Sequence, residues 1–469
     1  MLTDPGSSLR RRPAALVISM VVAAIVPAWI YFTATTTYMT WGVFPVIIGV
    51  IAVTYPVARH IAASEDDKSW LIWLLMLALL AKIVASLVRY YVAFEVYGGS
   101  ADAARYFNEG SRFAANLREG EWLYEPRTRG GEGTEILRQI TGLIVFVIGD
   151  TRLGAFVFFA WMSYVGLLLF YVGFRLAEPD ADHRRYALLL FFVPTLVYWP
   201  SSIGKEAWMM LTLGLATYGA ARLYRQRPGA LLLIALGIVG SGMVRPHMSA
   251  LLIVAIAVGF VLRRNERISL FGPIAKSITG IAVVGLSIFA VQLAEEQFQV
   301  EDGEGISGVE RVIDETAVQT GDGGGSTFEA TPATNPIHLP MAILTVMFRP
   351  LPFEAHNLQA LVSSLEGVFL LGLMVASRRR FRQALRMMWR RPFIAFAFTY
   401  SLMFIIAFSS FGNFGLLARQ RSQLFPLALV FFALPAYQSV RRRKRGPVLV
   451  PADEVVEPQP LPEKRDSAT

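Results

Sequence analysis

Long apolar runs, rather than an alternation of apolar and polar positions at helix or strand period, dominate this chain. A bilayer core about 30 Å thick needs roughly 20 mostly apolar residues per helix. Twelve segments meet or approach that requirement, at about 14–34, 39–58, 69–89, 153–176, 185–200, 207–224, 229–244, 248–262, 276–294, 357–376, 392–411 and 422–440. The pattern predicts an all-α, polytopic membrane protein with about 12 transmembrane helices. The segments at 185, 229 and 248 are short for a span, which suits thin, tilted or broken helices inside a protein-lined interior. Ile136–Gly149 and Leu339–Phe348 are too short to cross and predict external re-entrant or interfacial helices.

The distribution of Lys and Arg orients these spans. With the N-terminus inside, 29 of the 44 basic residues fall in cytoplasmic segments, and every inside connection carries some. Residues 1–13 become a cytoplasmic N-terminus and 14–440 a multi-pass domain with external loops at 90–152 and 295–356. The tail at 441–469 is a cytoplasmic, basic, Pro-containing segment expected to be disordered. Arg10-Arg11-Arg12 ahead of an apolar run has the look of a secretory signal. No small-residue cleavage site follows, so a retained first helix is expected.

Composition agrees. The 469 residues are 54% hydrophobic and only 17% charged, with a mean hydropathy of +0.47, against roughly a quarter charged in a soluble chain. The net charge of +9 belongs mainly to topology, so the basic clusters do not predict nucleic-acid binding. The absence of cysteine excludes disulfides, thiolate metal sites and a cysteine nucleophile. Five scattered histidines offer no metal-ligand spacing, and no cofactor is predicted; a divalent cation would have no motif to hold it. Gly321–Thr327 lacks the ending of a phosphate-binding loop and reads as linker, and Asp180-Ala181-Asp182 reads as a helix cap.

The non-routine polar residues gather outside. They occupy the loop after the third span (Asp102, Arg105, Tyr106), the Trp199–Trp208 connection (Lys205, Glu206) and the Arg245-Pro246-His247 turn. They recur in Phe348–Asn357 (Arg349, Glu354, His356) and in Gly412–Arg421 (Arg419, Arg421). A charge at the centre of a span costs about 3 kcal/mol by insertion scales, so charges beside apolar sequence are placed more cheaply around a wet cavity. Lys205, Arg245, Arg349, Arg419 and Arg421 suit a phosphate or diphosphate at headgroup level. Asp102, Glu206 and His247 are the candidate general bases, with Arg105, Tyr106, Glu354 and His356 as further substrate contacts. Each has a plainer reading: Asp102 caps a helix, Lys205 and Glu206 neutralise each other, and Arg349 pairs with Glu354 to hold a loop. Arg419 and Arg421, two apart, point in different directions on a helix. Lys82 and Glu366 lie within spans and read as structural, with Lys82 near enough to the outer end to snorkel.

At these loops the chain resembles the membrane-embedded GT-C-type glycosyltransferases and the O-antigen-polymerase-like proteins of exopolysaccharide biosynthesis. The residues that carry the resemblance are Asp102, Pro200-Ser201-Ser202 with Lys205-Glu206, Arg245-Pro246-His247, Arg349–Glu354, and Gly412-Asn413 leading to Arg419 and Arg421. It implies transfer of sugars or glycan repeats from a polyprenyl-phosphate or diphosphate carrier at the outer face of the cytoplasmic (inner) membrane. Asp102 would then be the acceptor-activating base and the cations would hold the carrier phosphates. Membrane lipid and envelope-biosynthesis proteins are the implied partners. Ala101 and Ala103 flank Asp102 where many GT-C enzymes carry paired acids, which departs from the pattern. The alternatives are a transporter of a lipid-linked glycan or anionic solute and a non-catalytic envelope-assembly protein. No internal repeat supports the transporter.

Overall fold

The computed structural model describes residues 26–64, 67–99, 101–126, 130–263, 328, 332–333, 335–355 and 357–435. The segment 1–13, most of the first predicted span, the span at 276–294, most of the loop after it, His356 and the tail at 441–469 lie outside the described residues.

Among the described residues the chain is all-helical. The helices that matter here are α1 (Val43–Ala62), α2 (Lys68–Tyr91), α3 (Asp102–Arg118), α4 (Glu132–Ile148), α5 (Arg152–Ala177), α6 (His183–Phe192), α7 (Pro194–Tyr198) and α8 (Lys205–Tyr224). They continue with α9 (Ala230–Val244), α10 (Pro246–Val261), α11 (Leu339–Phe348), α12 (Leu358–Ala376), α13 (Arg378–Met387), α14 (Pro392–Phe408) and α15 (Phe414–Ala428). Their ends follow from local chemistry. Asp67, Thr151, Asp182, Asn357 and Asn413 each accept a first-turn amide as N-caps of α2, α5, α6, α12 and α15. Pro246 and Pro392 open α10 and α14, where a missing N–H costs nothing. Asp182, from the Asp-x-Asp pair, is thus a cap as expected.

Helices Tyr38–Ala62, Lys68–Val96, Arg152–Ala177 and Leu358–Ala376 are long and apolar enough to cross a membrane. Arg378–Met387 with Pro392–Phe408 makes a fifth if this pair, bent by 110°, counts as one span. These helices suggest membrane association. The other expected spans are shorter or more polar. The segment at 185–200 breaks at Val193-Pro194 into α6 and α7, because a proline ring cannot follow a helical residue without clash. Helices α9 and α10 are apolar but have only 15 and 16 residues. In place of the segment expected at 422–440, α15 starts at Phe414, carries Arg419, Gln420 and Arg421 in its first turns and ends at Ala428.

Helix α8 is the axis of the bundle, packed along α5 and α9. Its approach to α5 depends on two glycines: a β-carbon on Gly214 would stand 2.5 Å from the Gly166 carbonyl oxygen. Backbones meet there directly, which is how helices associate where lipid removes the hydrophobic incentive. Helices α1 and α2 cover α5, and α10 packs on α14. The paired α3 and α4 lie across one end, where the connections 199–204, 245 and 349–357 also meet. Helix α4 contains the stretch expected to be interfacial, and α11 the other short apolar stretch.

Candidate functional site

Two adjoining cavities occupy this end of the bundle. The first, of about 470 Å³, is lined by Arg89, Tyr97, Asp102, Trp199, Ser202, Glu206, Pro350, Asn357, Gln359, Ser363, Phe414 and Arg419, among others. We call it the aromatic cavity. The second, the basic cavity, of about 630 Å³, is lined by Asp102, Arg105, Tyr106, Gly130, Thr134, Arg138, Lys205, Arg245, Arg419 and Gln420. Both fall in the size range of small-molecule sites. Asp102 and Arg419 line both, so their side chains form the partition.

Asp102 is the first residue of α3, after Ala101 in extended conformation as the N-cap. It is the most exposed carboxylate of the site and lies 3.7 Å (Oδ2) from Arg419 Nη1. Arg419 projects from the second turn of α15, which Asn413 starts by accepting the amides of Gly415 and Leu416. Glu206, in the first turn of α8, is buried. Its Oε1 accepts from Arg419 Nε at 2.8 Å and from Arg245 Nη2 at 2.7 Å. Arg245 also donates to Gln420 Oε1 at 2.6 Å, which accepts in turn from Gln423. One carboxylate oxygen therefore ties α8, the α9–α10 turn and α15 together. Breaking such a buried pair from one side leaves an uncompensated charge.

The aromatic cavity has a further property. The N-terminal turns of α3, α8, α12 and α15 all contribute to its wall. The aligned peptide dipoles make such ends attractive to anions, with Asn357 and Asn413 already taking first-turn amides of α12 and α15. Arg89 enters from the end of α2, its guanidinium 4.9 Å from the Tyr198 ring and 5.2 Å from that of Trp199.

A deeper network fixes the break that leads into this cavity. Lys82 does not snorkel; it is buried, and its Nζ donates to the Leu196 carbonyl at 2.7 Å and to Ser163 Oγ at 2.9 Å. From the other side Glu366 Oε2 accepts the Thr195 amide at 2.7 Å, with Arg421 near enough to act on it electrostatically. Helix α7 is thus gripped between a buried lysine and a buried glutamate, and Trp199 follows directly after it.

Of the residues singled out from sequence, Asp102, Arg105, Tyr106, Lys205, Glu206, Arg245 and Arg419 come together at the two cavities. Arg349, Glu354, Arg421 and His247 are not on these walls. Arg349 pairs with Glu354 through Nε and Nη2, at 2.9 and 2.5 Å, and sits 4.6 Å from the Phe328 ring and 5.2 Å from that of Phe414. Burial raises the Glu354 carboxyl, but bonds from Arg349 and the Leu351 amide outweigh it and hold the group below its usual range. Arg421 turns inward and donates to the Arg349 carbonyl oxygen. His247 packs beside Phe408, its ring 6.2 Å away.

Arg89 and Arg138 line the cavities without having been singled out. Arg89 closes an apolar run and has the look of a span end. Arg138 was a lone cation at the edge of an apolar stretch, the one signal that could have marked it. Its Nη1 pairs with Glu135 at 2.9 Å, and Glu135 also accepts from Tyr124 at 3.0 Å. Burial and that carboxylate push the Tyr124 phenol up to about 12, so it stays a donor that ties the chain before α4 to Glu135.

Comparison of the chain with known protein families, curated proteins and solved structures finds no match. Among the described residues no group of three His, Asp or Glu side chains is placed to hold a metal ion.

Proposed function

We propose that this protein is an integral membrane glycosyltransferase or polysaccharide polymerase that uses a polyprenyl-phosphate or diphosphate-linked glycan. The observation that carries the reading is the partition: Asp102 and Arg419 face two cavities at once. A carboxylate and a guanidinium between two compartments are the pair needed to activate a nucleophile on one side and stabilise a leaving group on the other.

The carrier's phosphate end belongs in the aromatic cavity, where four helix N-termini, Arg89 and Arg419 offer positive potential. The exposed apolar residues Tyr91 and Val96 beside Arg89, and Leu358, Leu361 and Leu365 on α12, give an isoprenoid tail a lipid-facing surface near that cavity. The acceptor belongs in the basic cavity. Its hydroxyl oxygen attacks the anomeric carbon while Asp102 takes the hydroxyl proton. The glycosidic bond forms, the bond from the anomeric carbon to the carrier phosphate breaks, and the electron pair leaves on the phosphate oxygen against Arg419. Glu206 does not act as a base here; pinned by two arginines, it aims them. In this reading the chain is a twelve-span inner-membrane protein with both termini in the cytoplasm and the cavities on the outer face.

The experiment reconstitutes the protein in nanodiscs with a polyprenyl-diphosphate-linked oligosaccharide and follows release of polyprenyl diphosphate together with glycan extension. Asp102→Asn is expected to abolish both while leaving polyprenyl diphosphate binding intact. Full turnover by that variant would sink the proposal. Flux of intact lipid-linked glycan between leaflets without bond cleavage would establish the transporter instead.

A further inference from the structure

The basic cavity carries more positive charge than a neutral saccharide requires. Arg105, Arg138, Lys205, Arg245 and Arg419 line it, against Asp102 as its one carboxylate. Behind the wall Glu135 pairs with Arg138, and Glu206 with Arg245 and Arg419. Among the described residues five cations of the lining thus stand against three anions on or directly behind it. The five come from α3, α4, α8, the α9–α10 turn and α15. Basic residues that only set topology collect in one connection, whereas these converge from separate elements.

Lys205 is the telling member. It is half-buried at the start of α8; Glu206 and Asp102 attract its ammonium, but Arg245 and Arg419 hold Glu206 and repel the lysine. A partly desolvated ammonium set among other cations is costly, and an anion arriving in the cavity relieves that cost. Arginine forks bind carboxylates through two parallel hydrogen bonds. Tyr106, Thr134 and Gln420 add neutral groups suited to sugar hydroxyls.

We infer that the basic cavity is a subsite for an acidic saccharide, one bearing carboxylate groups such as a uronic acid. Under the transfer reading it is the acceptor that is acidic; the binding itself does not depend on that reading. Asp102 is the one carboxylate of a lining that is otherwise basic, so an acidic acceptor's carboxylates are drawn to the cations and repelled by the base. The reacting hydroxyl is then left to Asp102.

The test is direct binding to the full-length protein in nanodiscs of zwitterionic lipid, with tri-galacturonate and maltotriose as equal-length acidic and neutral probes. Tri-galacturonate is expected to bind and maltotriose to show no measurable binding. Lys205→Gln and, at an exposed position, Arg105→Gln are each expected to weaken tri-galacturonate at least tenfold while melting at the wild-type temperature. Binding is also expected to fall as salt rises. Equal binding of the two saccharides, or tri-galacturonate binding untouched by both substitutions, overturns the inference. Competition by polyprenyl diphosphate, with both variants losing that ligand too, also overturns it by giving the cavity to the carrier phosphate. Tri-galacturonate binding by a protein that transfers nothing would uphold this inference and reject the transferase.

Discussion

Asp102 Oδ2 lies 3.7 Å from Arg419 Nη1, and each of the two side chains faces a cavity on either side. At that distance the pair is a contact between charges more than a tight hydrogen bond, so either group can turn to a ligand.

Arg419→Lys keeps the charge but loses the fork that reaches Glu206 and Asp102 together. Turnover of a polyprenyl-diphosphate-linked oligosaccharide is expected to fall at least a hundredfold, against a smaller loss in polyprenyl diphosphate binding. Parallel turnover and binding assays check this, and wild-type turnover would contradict it.

Glu206→Gln leaves Arg245 and Arg419 facing each other without their shared carboxylate. Removing one partner of a buried ion pair costs about 3–5 kcal/mol, so the variant is expected to melt well below wild type. Adding Arg245→Met to it should recover part of that loss, because the uncompensated charge goes with it. A double-mutant cycle by thermal unfolding in detergent measures the coupling.

Lys82→Met keeps the length of the side chain and removes the ammonium from the Leu196 carbonyl. A buried acceptor left unpaired costs about 1–3 kcal/mol. The expected outcome is a modestly less stable protein whose binding of polyprenyl diphosphate weakens, since α7 holds Trp199 beside Arg89. Unchanged binding would show that α7 needs no such grip.

Glu354 gives a pH signature. Its carboxyl is lowered in the folded protein, so its contribution to stability is complete above the unfolded value near 4.3. It is lost as the pH falls through the lower folded value. The gap in melting temperature between wild type and Glu354→Gln is therefore expected to hold at pH 6 and close on acidification below about 4. A gap that widens in acid would refute the sign.

Much of the site could be read from sequence because Lys205-Glu206 and Arg245 stand beside Gly204 and Pro246 at the edge of apolar chain, and Asp102 and Arg419 lie a few residues from Gly99 and Gly415. The partners could not. Nothing local says that Glu206 reaches across to both Arg245 and Arg419, since those contacts span 39 and 213 positions. Arg349 and Glu354 looked equally suggestive, and their five-residue spacing let them satisfy each other instead. Arg89 and Arg138 passed as span-end charges because the interface also collects arginines. The all-helical fold was written in the apolar runs. The number of full spans was not, because run length does not reveal where Pro194 ends one helix and starts another.

Because Arg245 and Arg419 already share a carboxylate oxygen, the site carries its own resident counter-ion. In the proposed site an incoming phosphate or carboxylate would not have to gather scattered arginines, because Glu206 already holds both guanidiniums in place. The ordering cost of binding is then met before the ligand arrives, and the empty site is kept intact by the same carboxylate.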